Sequence, residues 1–232
     1  MDNKKKLSAS QIIFTILYLP FWPAFFLFLS GDWHWTEGWI FAIWFFVTCA
    51  SVLIYLFFKD PALLAERFRQ PGTGNQKSWD KLVFLLIVLG WMSWIVIIPL
   101  DSKRFEWTSR FPTMLKYLGG LMLPFSTFFF YRAFTDNTFL SPVVRLQEER
   151  KHQLITTGIY GFVRHPMYLG ALLFFIGVPL LTGSYFGLAA ACFMILVLGV
   201  RAIGEEKMLT EKFEEYKDYK QKVRYRFFPL IW

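Results

Sequence analysis

The residues best suited to chemistry sit in one polar run, Gly158-Ile159-Tyr160-Gly161-Phe162-Val163-Arg164-His165-Pro166-Met167-Tyr168-Leu169-Gly170, which leads straight into a long apolar segment. Arg164, His165 and Tyr168 therefore fall at the edge of a hydrocarbon layer, where a polar group without a partner is expensive. Groups kept in that position point to a site facing water, a cofactor or a substrate. Pro166 is suited to the first position of a helix, which puts His165 beside free N–H groups and the positive end of the helix dipole. A carboxylate or a purine edge could dock there. The plainer account makes Arg164 a topology determinant and His165 and Tyr168 interface anchors, a task that Trp performs equally well.

Two further groups can reach the same face. Gln147-Glu148-Glu149-Arg150-Lys151-His152-Gln153-Leu154-Ile155-Thr156-Thr157-Gly158 precedes the run, and its charged half also fits a solvated loop. Thr156, Thr157 and Gly158 have the chemistry of a turn before a short helix. Arg201 and Glu205 are four residues apart, so they share a helical face and can serve one cavity. Alone they would read as a snorkelling Arg at the start of a charged tail. No glycine-rich phosphate loop, Ser-His-Asp order or paired-carboxylate pocket is evident. His152 and His165, thirteen apart, have no zinc-ligand spacing.

These groups must be positioned by apolar elements. Of 232 residues, 55% are hydrophobic, 21% aromatic and only 18% charged, a balance unlike that of a soluble domain. Segments long enough to span a bilayer occur near 12–29, 38–58, 82–100, 115–134, 167–182 and 185–200. The last pair, separated by Thr182-Gly183-Ser184, reads as a helical hairpin. The first follows Lys4-Lys5-Lys6 but is long, contains Pro20 and Pro23 and leads to no small-residue cleavage site, so it reads as a retained, kinked helix. The expected fold is an all-α, polytopic membrane bundle of about six transmembrane helices in a single domain over 1–232. Within it, helices of the N-terminal part occupy 1–140 and the chemistry-bearing core occupies 141–232.

The net charge of +8 comes from Lys and Arg distributed between the spans, not gathered on a nucleic-acid-binding face. On a six-span topology, 21 of the 25 Lys and Arg fall on one side, which predicts both termini and the polar run on the cytoplasmic face. The 59–81 loop, with Pro71-Gly72-Thr73-Gly74-Asn75, reads as a connector without chemistry. Gly31-Asp32-Trp33-His34-Trp35-Thr36-Glu37-Gly38-Trp39 reads as a Trp-rich interfacial anchor, with His34 outside any site. Cys49 and Cys192 lie in apolar runs and suggest neither disulfide nor metal site. Leu209, Phe213, Tyr216, Tyr219 and Val223 recur at three or four residues over 202–223, predicting one amphipathic helix on the membrane or beneath the site. Phe227-Phe228-Pro229-Leu230-Ile231-Trp232 then returns to the bundle or interface.

The combination of His152-Gln153-Leu154-Ile155, Thr157-Gly158-Ile159-Tyr160, Arg164-His165-Pro166-Met167-Tyr168, Arg201-x-x-x-Glu205-Glu206-x-x-Leu209 and Tyr216-x-x-Tyr219 resembles the isoprenylcysteine carboxyl methyltransferase family and its bacterial relatives in the phospholipid methyltransferase superfamily. The likeness covers roughly the last 85 residues. It implies an S-adenosylmethionine-dependent enzyme in a bacterial cytoplasmic membrane, acting on a lipophilic or lipidated acceptor. In that family the cofactor pocket is built by the hairpin, the loop before it and the tail. Carried over, Gln147, His152, Gln153, Leu154, Ile155, Tyr160, His165, Pro166, Met167, Tyr168 and Glu205 would contact the cofactor, and Arg201 would hold the acceptor carboxylate. Arg201 and Glu205 would be the residues on which transfer depends. The chain departs from eukaryotic members in the loop after Gln147 and in the tail between Leu209 and Tyr216, and it lacks the additional N-terminal helices of animal members.

Methyl transfer to a carboxylate requires no general base, because the nucleophile is already ionised near neutral pH. Two other chemistries fit a membrane enzyme with an Arg-His-Pro-x-Tyr motif: N-methylation of a phospholipid amine, which needs a base, and NADPH-dependent sterol-type reduction, which needs a cationic pocket for an added phosphate. A non-catalytic membrane protein would leave Arg201, Glu205, His165 and Tyr168 without a shared purpose.

Overall fold

The computed structural model describes residues 9–73 and 75–228, with side chains from residue 15 onward. Lys4, Lys5, Lys6, Gly74 and the Pro229-Leu230-Ile231-Trp232 end lie outside the described residues. Among the described residues every regular element is helical: α1 Ala9–Ser30, α2 Thr36–Lys59, α3 Pro61–Arg67, α4 Ser78–Pro99, α5 Thr113–Asp136, α6 Pro166–Thr182, α7 Tyr185–Lys212 and α8 Tyr216–Lys222. A π-helical turn, Leu100–Arg104, continues α4, and single 3-10 turns form at Glu148–Arg150 and Gly158–Gly161.

Each of the six expected spans has a long helix. By length and composition, α2, α4 with its π-helical turn, and α7 can cross a membrane, while α1 and α6 contribute shorter apolar stretches. This is an all-α membrane protein. Many large apolar side chains on the outer helix faces, among them Leu17, Phe58, Leu82, Met114, Leu121 and Leu196, are exposed, as lipid-facing residues should be.

Two local solutions fix the hairpin. Pro166 opens α6 at its first turn, and Gly183 closes it with φ +79°, donating to the Pro179 carbonyl at 2.9 Å while Ser184 N donates to the same oxygen at 2.8 Å. Only glycine adopts that left-handed closure without cost. Ser184 then caps α7 by accepting from Gly187 N at 2.8 Å. α6 also lies against α5 almost backbone to backbone, since a Cβ at Gly119 would stand 2.3 Å from Leu181 N and 2.5 Å from the Gly177 carbonyl oxygen. Small residues at such a contact allow van der Waals packing where lipid supplies no hydrophobic drive. An aromatic core of Phe41, Phe45, Trp94, Phe174 and Phe175 fills the bundle, with Trp94 Nε1 donating to the Phe175 carbonyl at 3.1 Å.

Three sequence expectations change. The 202–223 stretch is not one helix: α7 runs to Lys212, the chain breaks at 213–215, and α8 turns back. The break lets Tyr216 and Tyr219 pack with Val223 on Leu154, a cluster that a straight helix would carry away from the bundle. The 59–81 loop is not a bare connector, because it contains α3, capped by Asp60 accepting from Leu63 N at 2.9 Å. In the Trp-rich loop Trp33 and Trp39 are exposed, but Trp35 is buried and stacks on Phe26 at 5.5 Å, so it belongs to the core.

Candidate active site

One end of the bundle holds a cavity of about 820 Å³, counted out to solvent, between the 137–155 loop, the start of α6, the last turns of α7, and α8. Of the twelve residues singled out from the sequence, eleven line it: His152, Gln153, Leu154, Ile155, Tyr160, His165, Pro166, Met167, Tyr168, Arg201 and Glu205. Gln147 does not. It is fully buried beside the loop, donating from Nε2 to the Phe139 carbonyl at 2.5 Å and accepting from Arg150 Nη1 at 2.6 Å, the position of a brace.

The start of α6 is held by residues 223–226. Arg164 N and His165 N donate to the carbonyls of Tyr225 and Arg226 at 3.0 and 2.9 Å, and Arg164 Nη1 donates to those of Val223 and Arg224 at 2.7 and 2.8 Å. Buried Glu206 completes the clamp, accepting from Arg164 Nε at 2.7 Å and Arg226 Nε at 3.0 Å, with His165 Nε2 at 3.3 Å. Arg164 thus has a structural role, and Glu206 is the carboxylate that binds the motif together. Fixed in this way, the His165 ring stacks on Tyr168 at 5.3 Å.

Glu205, one residue earlier, faces the cavity. Its Oε2 accepts from Tyr168 Oη at 2.9 Å and lies 3.8 Å from His165 Nδ1; the other oxygen has no hydrogen bond among the described residues. Tyr160 Oη is buried and meets no partner of full hydrogen-bond geometry, although the Asn137 side chain lies near enough to interact with it. Burial pushes the Tyr160 phenol above its ordinary value, so it remains a donor. Its backbone is fixed by Tyr219 Oη, which donates to the Tyr160 carbonyl at 2.7 Å. His152 stacks on Phe139 at 4.6 Å; burial, then the charges of Arg150 and Arg145, depress it to about 4, so it is neutral at physiological pH.

Two acidic residues missed in the sequence organise the floor. Asp80, fully buried at the first turn of α4, accepts from Arg201 Nε at 2.9 Å, Gln76 Nε2 at 2.8 Å and Val144 N at 2.7 Å. Arg201 Nη2 donates to the Pro142 carbonyl at 2.7 Å, so this guanidinium ties α4, the 137–147 loop and α7 together. Glu66 on α3 accepts from Arg145 Nε at 2.8 Å, Ser141 Oγ at 2.7 Å and Arg69 Nε at 3.1 Å. Burial alone would raise its carboxyl, but these donors, Arg145 first, hold it at about 2. Asn75 joins the same loop, donating to the Leu146 carbonyl at 2.7 Å. Both acids lie in the 59–81 stretch, whose sequence has no periodic signal, and the partners that tie them to the site, Arg201, Val144, Arg145 and Ser141, are more than 60 residues distant.

The cavity therefore presents an acidic oxygen, a phenol, neutral aromatic faces and apolar walls at the start of a helix. Such a set can take a cationic amine, a planar ring and an organic cation together.

Known proteins share this part of the chain. Residues 114–216 match the phospholipid methyltransferase family model. The chain is 28% identical over 146 residues to protein-S-isoprenylcysteine O-methyltransferase B of Arabidopsis thaliana, covering 61% of this chain and 70% of the relative. The Saccharomyces cerevisiae protein-S-isoprenylcysteine O-methyltransferase is 39% identical over 85 residues, 36% of each chain. Methanethiol S-methyltransferase 1 of Bradyrhizobium diazoefficiens is 38% identical over 66 residues, 28% of this chain and 22% of the relative.

Proposed function

We propose that the chain is a member of the isoprenylcysteine carboxyl methyltransferase family of membrane methyltransferases, as its likeness to those relatives supports, and that it methylates a carboxylate oxygen of a lipophilic, isoprenylcysteine-like acceptor with S-adenosylmethionine as donor. We place the pocket on the cytoplasmic face, within the 141–232 core. The observation that carries the reading is that one open oxygen of Glu205 and Tyr160 Oη face the same aromatic-walled cavity.

The residues present fit the donor. Glu205 would take its ammonium group, Tyr160 Oη would give a hydrogen bond, and His152, Leu154, Ile155 and Met208 would enclose its ring system. Among the described residues Glu205 is the acid that lines the cavity, and its open oxygen suits a cationic ligand and disfavours the extra phosphate of NADPH. Bound there, the donor supplies a sulfonium-borne methyl carbon; the acceptor oxygen forms the C–O bond, the electron pair of the broken C–S bond stays on sulfur, and no proton moves. The protein's work is then alignment in a site without competing water. Correct placement of the reacting atoms is worth about 7–11 kcal/mol. The His165–Tyr168 stack, held by Glu206 and the 223–226 strap, forms the rigid wall for that placement.

Membranes carrying the protein, supplied with methyl-labelled S-adenosylmethionine and N-acetyl-S-farnesylcysteine, should form a labelled lipid that releases methanol in mild alkali. Label that resists alkali would mark N- or S-methylation and overturn carboxyl transfer. Stabilisation against heat by NADPH with none from S-adenosylmethionine would overturn the donor.

A further inference from the structure

α3 ends on a charge that the network around Glu66 leaves out. Glu66 binds Arg145, Ser141 and Arg69, whereas the next residue, Arg67, has its Nη1 buried with no hydrogen-bond partner among the described residues. Among the described residues this guanidinium lies over the Phe134 ring, 5.3 Å from its centroid, and feels the charge of Glu66 without a hydrogen bond to it. Burial, then the nearby charge of Arg201, lowers its pKa to about 10, which leaves it protonated at neutral pH. A charged donor with a buried N–H and no hydrogen-bonded anion is costly, even with the charge of Glu66 near enough to offset part of that cost.

Arg67 borders a second cavity, of about 1460 Å³ counted out to its open mouth, between α1, α2, α3, α5 and α6. The walls are apolar and aromatic, with Leu19, Phe45, Val52, Leu56, Phe130 and Phe174 along them. Polar groups are few, and Thr48 Oγ1 is already engaged with Thr127 Oγ1 at 2.8 Å. Met167 lines both this cavity and the one that holds Glu205, so the two meet at the first turn of α6. Arg201, by contrast, has Nε and Nη2 committed to Asp80 and Pro142.

We propose that the apolar cavity takes the hydrocarbon tail of the acceptor and that Arg67 receives its carboxylate, presenting it at Met167 to the donor cavity. Arg201 is then a positioning residue for the floor. This rests on the carboxyl-methylation reading above. Arg67 transfers no proton and forms no covalent bond; it contributes a fixed, paired set of donors to a planar anion.

The full-length protein in lipid nanodiscs tests it with N-acetyl-S-farnesylcysteine and its methyl ester. Arg67→Met should raise KM for the acid about tenfold or more, leave KM for S-adenosylmethionine unchanged, and melt no lower than the parent, since it removes an unpaired charge. Arg67→Lys should recover part of the loss. In equilibrium dialysis the parent should hold the acid more tightly than the ester, and Arg67→Met should hold both equally. An unchanged KM for the acid, a parallel loss of acid and ester, or a lower melting temperature that accounts for the lost activity would overturn the assignment. If the parent makes no alkali-labile product, carboxyl transfer fails by itself; the acid-over-ester preference still decides whether Arg67 is an anion site.

Discussion

Asp101 and Glu205 lie at opposite ends of the same pair of helices and differ in how completely they are satisfied. Asp101 is fully buried where α4 passes into its π-helical turn, and it accepts from Thr108 N and Oγ1 at 2.9 Å, Ser184 Oγ at 2.6 Å and Phe186 N at 3.3 Å. Those bonds close the α6–α7 turn and leave nothing for a ligand. At the other end Asp80, Glu66 and Glu206 are equally well partnered, but Glu205, Tyr160 and Arg67 are not. Satisfied acids at both ends hold the helices; among the described residues, two of the three buried side-chain groups without a full hydrogen bond, Tyr160 Oη and Arg67 Nη1, lie at the end with the Arg164-His165-Pro166 motif, the third being Trp22 Nε1 in α1. Satisfaction, more than burial or charge, separates scaffold from site.

The sharpest way to break this contrast is to damage a satisfied pair. Arg201→Ala leaves Asp80 buried without its cation and should destabilise the fold by about 3–5 kcal/mol, read as a fall in unfolding midpoint in detergent. Replacing both partners with apolar residues should restore most of the stability without restoring methyl transfer. Next in size, Glu205→Ala should lower methyl transfer by about a hundredfold, some 2.7 kcal/mol, with an unchanged melting temperature and weaker protection by S-adenosylmethionine. A stability loss as large as that of Arg201→Ala would make Glu205 scaffold.

Asp101→Ala should cost about 1–3 kcal/mol of stability by orphaning Thr108 and Ser184, while activity per folded molecule stays constant. Any change in donor affinity would show that the two ends are coupled. The smallest effect concerns pH. His152 titrates near 4 in the fold against about 6.5 when unfolded, so the unfolded chain binds the extra proton between those values. Its contribution is intact above pH 6.5, falls as pH drops, and is flat again below about 4. A His152→Phe variant should show a shallower decline in melting temperature across that window; an identical slope would mean that the neutral ring does not matter.

Much of this was legible. The spans follow from hydropathy, and Pro166, Thr182-Gly183-Ser184 and the turn at 156–158 mark where the chain must reverse, because those residue types have few conformations open to them. The motif residues, read with the family resemblance, led to eleven positions around one cavity. What the sequence hid depended on distance. Asp80 and Glu66 sit at a helix start and on a short helix within a stretch that shows no period, and their partners Arg201 and Arg145 are 121 and 79 residues away. Gln147 was expected at the cofactor from the resemblance alone, and a sequence does not say which way an amide turns; here it donates to the Phe139 carbonyl and accepts from Arg150. The break at 213–215 was hidden because the apolar period of α8 continues in phase with that of α7, although Tyr216 and Tyr219 pack back onto Leu154.

The strap at 223–226 has a consequence for the order in which the molecule can be made. Arg164 and His165 leave the ribosome about 60 residues before the carbonyls that hold them, and the clamp grips those carbonyls through backbone and guanidinium N–H groups. Insertion of the long helices can therefore be finished while the pocket is still unformed. Competence arrives as a separate, late event in biosynthesis, and a chain stopped short of residue 223 would be a membrane protein without a working site.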